Sequence, residues 1–282
     1  MVDLESSYSI SFYSRYQFKV FRSIFGCYLI YHFSTLYAHA DKLFSSTGMF
    51  PDPTIIPSWG IFPVLFNLES KLNIQLFISI MIILSMNMVL GIFRRTSSLF
   101  LWYGWAYLFN RNVLIANPGL PYVGWLLLAC AVIPDDTNPK KKWIMPSGIY
   151  FGAWFLMMLG YTISGIHKLQ CPSWIDGSAL YHVLSSVLAR DNFIVKFFLA
   201  NPTILQGLTW GSLALEIGAL PLGMFYNVRK WYWLMFIGMH AGIVSVVNFL
   251  DLTLGVTMIH FFTFDHRWLK EFPFNLIINH MK

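Results

Sequence analysis

Ser147-Gly148-Ile149-Tyr150-Phe151-Gly152-Ala153-Trp154-Phe155-Leu156-Met157-Met158-Leu159-Gly160-Tyr161-Thr162-Ile163-Ser164-Gly165-Ile166-His167-Lys168-Leu169 carries no charged side chain until Lys168, at its far end. A helix that crosses a bilayer needs about 20 mostly apolar residues, so Ser147–Lys168 reads as a membrane span. Trp174-Ile175-Asp176-Gly177 follows closely. Two readings of Lys168 stand side by side. An ionisable residue at the lip of a membrane helix, followed by an aromatic-acid-glycine turn, marks a site. The same lysine can also reach the headgroups simply as an anchor.

Composition supports the membrane reading. The chain is 56% hydrophobic and 18% aromatic, and only 11% of it is charged, against roughly 25% in average soluble domains. Eight apolar segments are expected to span: Phe18–Ala40, Leu72–Phe93, Ser97–Val113, Leu120–Pro134, Ser147–Lys168, Ile204–Tyr226, Lys230–Leu250 and Leu252–Trp268. The fold class expected is therefore an all-α integral membrane protein. Residues 1–17 form a cytoplasmic segment, 18–268 the transmembrane domain and 269–282 a cytoplasmic tail. Residues 1–16 are polar and carry no signal-peptide core, so the first span is expected to act as a signal anchor.

The distribution of cations sets the orientation expected. With both termini in the cytoplasm, thirteen of the nineteen lysines and arginines fall inside and six outside, as the positive-inside rule requires. The net charge of +6 then points to anionic lipid and away from nucleic acid. Two outer segments read as lids. Ser45–Pro63 is rich in proline, glycine and aromatics, and Ser178–Ala189 places Leu180, Leu184 and Leu188 on one helical stripe with His182 off it.

The polar residues within the spans are few. Glu216 is the one acid in mid-span; an unpaired carboxylate there costs about 3 kcal/mol on insertion scales. Lys168, His240 and Arg111 are its candidate partners, and a structural salt bridge explains it as well as catalysis does. Asp251 and Asp265 lie at span ends and read as solvated. His32 and His39 share a face of the first span, and His240 and His260 lie in the last two. No histidine pair has metal-ligand spacing, so no metal is expected; a neutral histidine bonding between helices suits each position. Arg111 ends the third span and suits a headgroup or a ligand oxyanion. Cys27, Cys130 and Cys171 make no disulfide framework. Pro221 is expected to kink the sixth span one turn beyond Glu216.

Four stretches carry a resemblance. Arg22-x-x-x-Gly26, Tyr161-x-x-x-Gly165-x-x-Lys168-Leu169 with Trp174-x-x-Gly177, the acid Glu216 and the span bearing His240 together resemble the membrane domain of vitamin K-dependent gamma-glutamyl carboxylase and its bacterial HTTM relatives. The bacterial type lacks the soluble C-terminal domain. The resemblance covers roughly residues 15 to 268, and its specific part is the second stretch. The family carries two lysines before the leucine, the second being the base that deprotonates vitamin K hydroquinone. Here Lys168 stands at that position and His167 at the first.

The resemblance implies base- or quinol-linked oxidative chemistry at the outer interface, with a quinone/hydroquinone as cofactor. Lys168, His167, Glu216 and His240 are the catalytic candidates. Trp174, Asp176, Tyr161 and Arg111 are the cofactor-binding candidates, and Trp102, Trp105 and Trp154 are further candidates for the pocket wall. Two other functions fit the same features. One is a maturation factor for a secreted peptide toxin, acting with that peptide or a small accessory protein. The other is a non-enzymatic scaffold binding lipid or peptide.

Overall fold

The computed structural model describes residues 13–55, 70–134 and 143–268. The tail expected in the cytoplasm (269–282), residues 56–63 of the expected first lid and the charged turn Asp135–Lys142 lie outside the described residues, as do positions 1–12. The described residues are all-helical; the sole strand-like feature among them is an isolated bridge between Ala189 and Val247. The chain divides into two compact units, Met1–Pro146 and Ser147–Lys282.

The first unit contains α1 (Arg15–Ala38), α2 (Ala40–Phe44), α3 (Lys71–Leu90), α4 (Arg94–Arg111) and α5 (Leu120–Val132). Ser14 starts α1 by accepting the Gln17 N–H at 3.0 Å, the usual N-cap device. α1 lies along α3, and Gly26 is where they meet. A Cβ there would stand 2.7 Å from Val89 Cγ2. α3 ends at Gly91, whose φ of +79° few other residues adopt without strain.

Buried or half-buried arginines close the helix ends of this unit. The last carbonyls of a helix have no intrahelical partner, and a cation also suits that end of the helix dipole. Arg22 Nη2 donates to Val89 O at 3.2 Å near the end of α3. Arg94 donates to Cys130 O and, at 2.6 Å, to Ile133 O at the end of α5. Arg111 is buried and donates to Ser45 O at 3.0 Å and Phe50 O at 2.7 Å. Trp102 and Trp105 line an apolar groove of about 500 Å³ between α4 and α5.

The second unit contains α6 (Ser147–Lys168), α7 (Pro172–Ile175), α8 (Ala179–Leu184), α9 (Phe193–Leu199), α10 (Pro202–Ile217), α11 (Ala219–Gly223), α12 (Tyr226–Val246) and α13 (Leu250–Thr263). α6 runs through its centre, packed on α10, α11 and α13. Trp154, Met157, Phe236, Ile259 and Phe262 fill the core.

Each of the eight expected apolar segments coincides with a helix or a broken pair of helices. Among the described residues, two helices, α3 and α6, are long and apolar enough to cross a bilayer. The segment Ile204–Tyr226 is broken at Gly218 into α10 and α11. Pro221 explains the break, because it has no N–H to give the Ile217 carbonyl.

Two expectations are corrected. The outer helix Ser178–Ala189 stops at Leu184. Ser186 Oγ donates back to Val183 O at 2.8 Å and accepts the Leu188 N–H at 3.2 Å, a local alternative that competes with helix. Leu180 and Leu184 pack with Val195, Leu205 and Val247, and Leu188 is left exposed. Asp265 is buried, not solvated, because Arg267 folds back on it with Nη2 2.5 Å from Oδ2.

Candidate functional site

The end of α6 meets α10 because Gly165 has no side chain. A Cβ on Gly165 would lie 2.9 Å from the Ile217 backbone nitrogen and 3.1 Å from Glu216 Cβ. One turn further along α6, Lys168 Nζ donates to Glu216 Oε1 at 2.5 Å. The mid-span acid Glu216 demanded a partner in the sequence, and Lys168 is the one of three candidates that supplies it. The pair is asymmetric: the carboxylate side chain is 5% exposed and the lysine 24%. Glu216 Oε2 is buried with no hydrogen-bond partner.

Trp174 covers the amine, with Nζ 4.3 Å from its ring, a cation–π contact. The segment that carries Trp174 is held on α10. Trp210 Nε1 donates to Ile175 O at 3.0 Å and Gln206 Nε2 to Asp176 O at 2.9 Å. Gly177 turns the chain here with φ of +86°, and a Cβ would lie 2.5 Å from Gln206 Cγ. Asp176 is exposed and accepts the Ser178 N–H at 2.8 Å. The Ser178 hydroxyl and, after it, that backbone N–H hold the Asp176 carboxyl below the usual aspartate range.

Thr162 completes the support. Its Oγ1 accepts the Leu220 N–H at 2.9 Å and lies 3.2 Å from Glu216 O and 3.4 Å from Ile217 O. The hydroxyl thus fills the gap that Pro221 opens in the helix, directly behind Glu216.

Two turns back along α6 from Lys168, Tyr161 is buried and stacks on Phe236, with centroids 3.7 Å apart. Its hydroxyl lies 2.6 Å from His240 Nε2 and 2.7 Å from His260 Nε2. Both histidines are buried, and the Nδ1 atom of each has no partner. Among the described residues, no group of three or more His, Cys, Asp or Glu side chains is arranged to hold a metal ion.

The structure therefore brings Lys168, Glu216 and Trp174 together, and separately joins Tyr161 to His240. His167 is exposed on the next position round α6. Asp176 stabilises the turn behind Trp174. Arg111 belongs to the first unit and is engaged by backbone carbonyls. Trp102 and Trp105 also lie in that unit, whereas Trp154 is buried in the second and donates to Gly223 O at 2.9 Å. Thr162 and the pairing of His260 with Tyr161 were not anticipated. Pro221 was the available signal for Thr162, since the carbonyl it orphans requires another donor. No protein-family model, curated protein or solved structure matches the chain.

Proposed function

We propose that this is a multi-pass membrane protein of the HTTM or gamma-carboxylase type, in which Lys168 and Glu216 carry out proton transfer on a lipid-soluble quinol. All eight apolar segments cross the bilayer and both termini face the cytoplasm. The helical form of every one of these segments supports this. So does the exposed stripe Leu72, Leu76, Ile80, Ile83, Met86 and Leu90 on α3, an apolar face along a whole helix. Of the arginines that cap carbonyls, Arg22, Arg94 and Arg229 belong to the inner set of cations and Arg111 and Arg190 to the outer. Setting them aside leaves the inside excess standing.

The observation that carries the chemistry is the free Oε2 of buried Glu216. An ammonium group has no lone pair to accept a proton, and Lys168 already donates to Oε1. The acceptor is therefore Glu216. A quinol hydroxyl donates to Oε2, its O–H bond breaks, the proton passes to the carboxylate and the electron pair stays on the quinol oxygen. Lys168, no longer facing a full carboxylate charge, stabilises the quinolate. Trp174 confines the amine while this happens.

The test uses the full chain in lipid nanodiscs with vitamin K hydroquinone, following quinolate absorbance and binding together. Glu216→Gln should retain binding and lose quinolate formation; Lys168→Ala should lose both. Absence of quinol binding to the wild-type chain, or full quinolate formation by Glu216→Gln, would sink the reading. The double engagement of the Lys168 amine by Glu216 and Trp174 favours a second reading, a scaffold for lipid or peptide in which the pair is a latch. Lys168→Arg separates the two, since arginine can latch but places a bulkier fork beside Oε2.

A further inference from the structure

We infer that Arg229 anchors a binding site for the phosphodiester headgroup of an anionic lipid, at the end of the second unit where α6 and α12 begin and the chain leaves α13. The inference rests on the membrane reading and is independent of the quinol chemistry. Two arginines and one acid meet there, Arg229, Arg267 and Asp265. The acid is spent on one of the cations. Asp265 is buried, and its two oxygens accept from Arg267 Nε at 2.9 and 3.0 Å and from Nη2 at 2.5 Å. Oδ1 also accepts the Arg267 backbone N–H at 3.0 Å. Among the described residues, Arg229 has no carboxylate partner.

Arg229 is nonetheless fixed. Its Cζ lies 5.3 Å from the Phe151 ring centroid and 5.7 Å from that of Trp154, one turn apart on α6. Its Nη2 donates to Met224 O at 3.1 Å. A guanidinium carries five N–H groups in a rigid fork. Met224 takes one of them, and Nε is buried without an acceptor. Burial pushes this guanidinium below the usual arginine range, and the nearby Arg267 charge adds to the push; it stays charged at neutral pH. A partly buried cation without a counter-ion is unfavourable. Held still, with donors to spare, it suits the paired oxygens of a phosphate.

Two observations select a lipid over a free phosphate, and an anionic lipid over a zwitterionic one. Leu222, Phe225 and Trp231 flank Arg229 in the chain and are exposed, an apolar rim that a glycerol and acyl chain would cover. The second cation borders the same place, with Arg267 Cζ 5.6 Å from the ring centroid of Tyr226, the first residue of α12. A choline headgroup would bring its own positive charge towards Arg267. Both arginines belong to the inner set of cations, and anionic lipid is concentrated in the cytoplasmic leaflet.

The experiment places the full chain in nanodiscs of phosphatidylcholine, with or without phosphatidylglycerol, and reads retained lipid by native mass spectrometry after release into detergent. The wild-type chain should keep phosphatidylglycerol in preference to phosphatidylcholine. Arg229→Gln should weaken that retention about tenfold, near the low end for a lost charge-assisted hydrogen bond. Arg95→Gln, which removes an exposed arginine of the first unit, should leave it unchanged. An excess of inorganic phosphate should not displace the lipid. A second measurement needs no variant and stands if Arg229→Gln does not fold. Phenylglyoxal should modify Arg229 more slowly when phosphatidylglycerol is present, and Arg95 should be slowed by a smaller factor. Equal retention of both lipids, an equal loss in the two variants, displacement by phosphate, or equal protection of both arginines would overturn the site. A chain that stays in solution without lipid would instead end the membrane reading itself, and the site with it.

Discussion

Thr162 Oγ1 accepts the Leu220 N–H at 2.9 Å and so bridges the gap in the helix immediately behind Glu216. Side-chain repair of a proline gap is common in membrane helices, because bilayer hydrocarbon offers no water to do it. Here the repair ties α6 to the segment that carries the acid. Thr162→Val removes the acceptor without a large change of shape. It should destabilise the fold by about 1–3 kcal/mol, the usual cost of an orphaned buried donor. Thr162→Ser should lose far less. Reversible unfolding in mixed micelles measures both.

The Lys168–Glu216 pair should show the asymmetry of a partly buried ion pair. Removing the lysine alone strands a buried carboxylate, which costs more than removing both charges. Lys168→Met should destabilise by about 1–3 kcal/mol, discounted from a fully buried pair for the exposure of the amine. Glu216→Leu combined with Lys168→Met should recover much of the loss. A double-mutant cycle from unfolding data gives the coupling; a coupling near zero would remove the pair from any account of stability.

Gly177→Ala tests how Trp174 is held. The positive φ and the contact with Gln206 both oppose a methyl group there. The expected cost is about 1–3 kcal/mol of backbone strain, relieved by lifting the turn from α10. Lys168 should then react faster with an amine-directed reagent, read by mass spectrometry, while Lys71 of the first unit keeps its rate.

The Asp176 turn should respond to acid in one direction. Its folded carboxyl titrates below the unfolded one, so its contribution is complete above the unfolded value of about 3.9. It is lost as pH falls through the lower, folded value. Hydrogen exchange of the Ser178 amide should accelerate relative to its neighbours only in that acid window. Asp176→Asn should remove the extra acid response.

Part of this arrangement was legible in the sequence. A lone acid in a long apolar helix requires a partner; Lys168, His240 and Arg111 were the candidates for Glu216, and the structure joins it to Lys168. Apolar length located the helices, and Ser147–Lys168 matches α6 to the residue. Trp174-Ile175-Asp176-Gly177 reads in the sequence as a turn that marks a site; the turn is there, and its Asp176 carboxylate accepts the Ser178 N–H. His240 and His260 carry no mutual spacing rule. They meet only because α12 and α13 both pack toward Tyr161, and that convergence belongs to tertiary structure. Arg111 looked available because arginine at a helix end commonly reaches outward. The carbonyls of Ser45 and Phe50 that hold it lie 66 and 61 residues earlier in the chain, beyond any local pattern.

The arginine caps also bear on the order of synthesis. Arg94 emerges 36 and 39 residues before the Cys130 and Ile133 carbonyls that receive it. Until α5 is translated, that guanidinium has no acceptor from α5. The start of α4 therefore gains these contacts only once the next helix has been made.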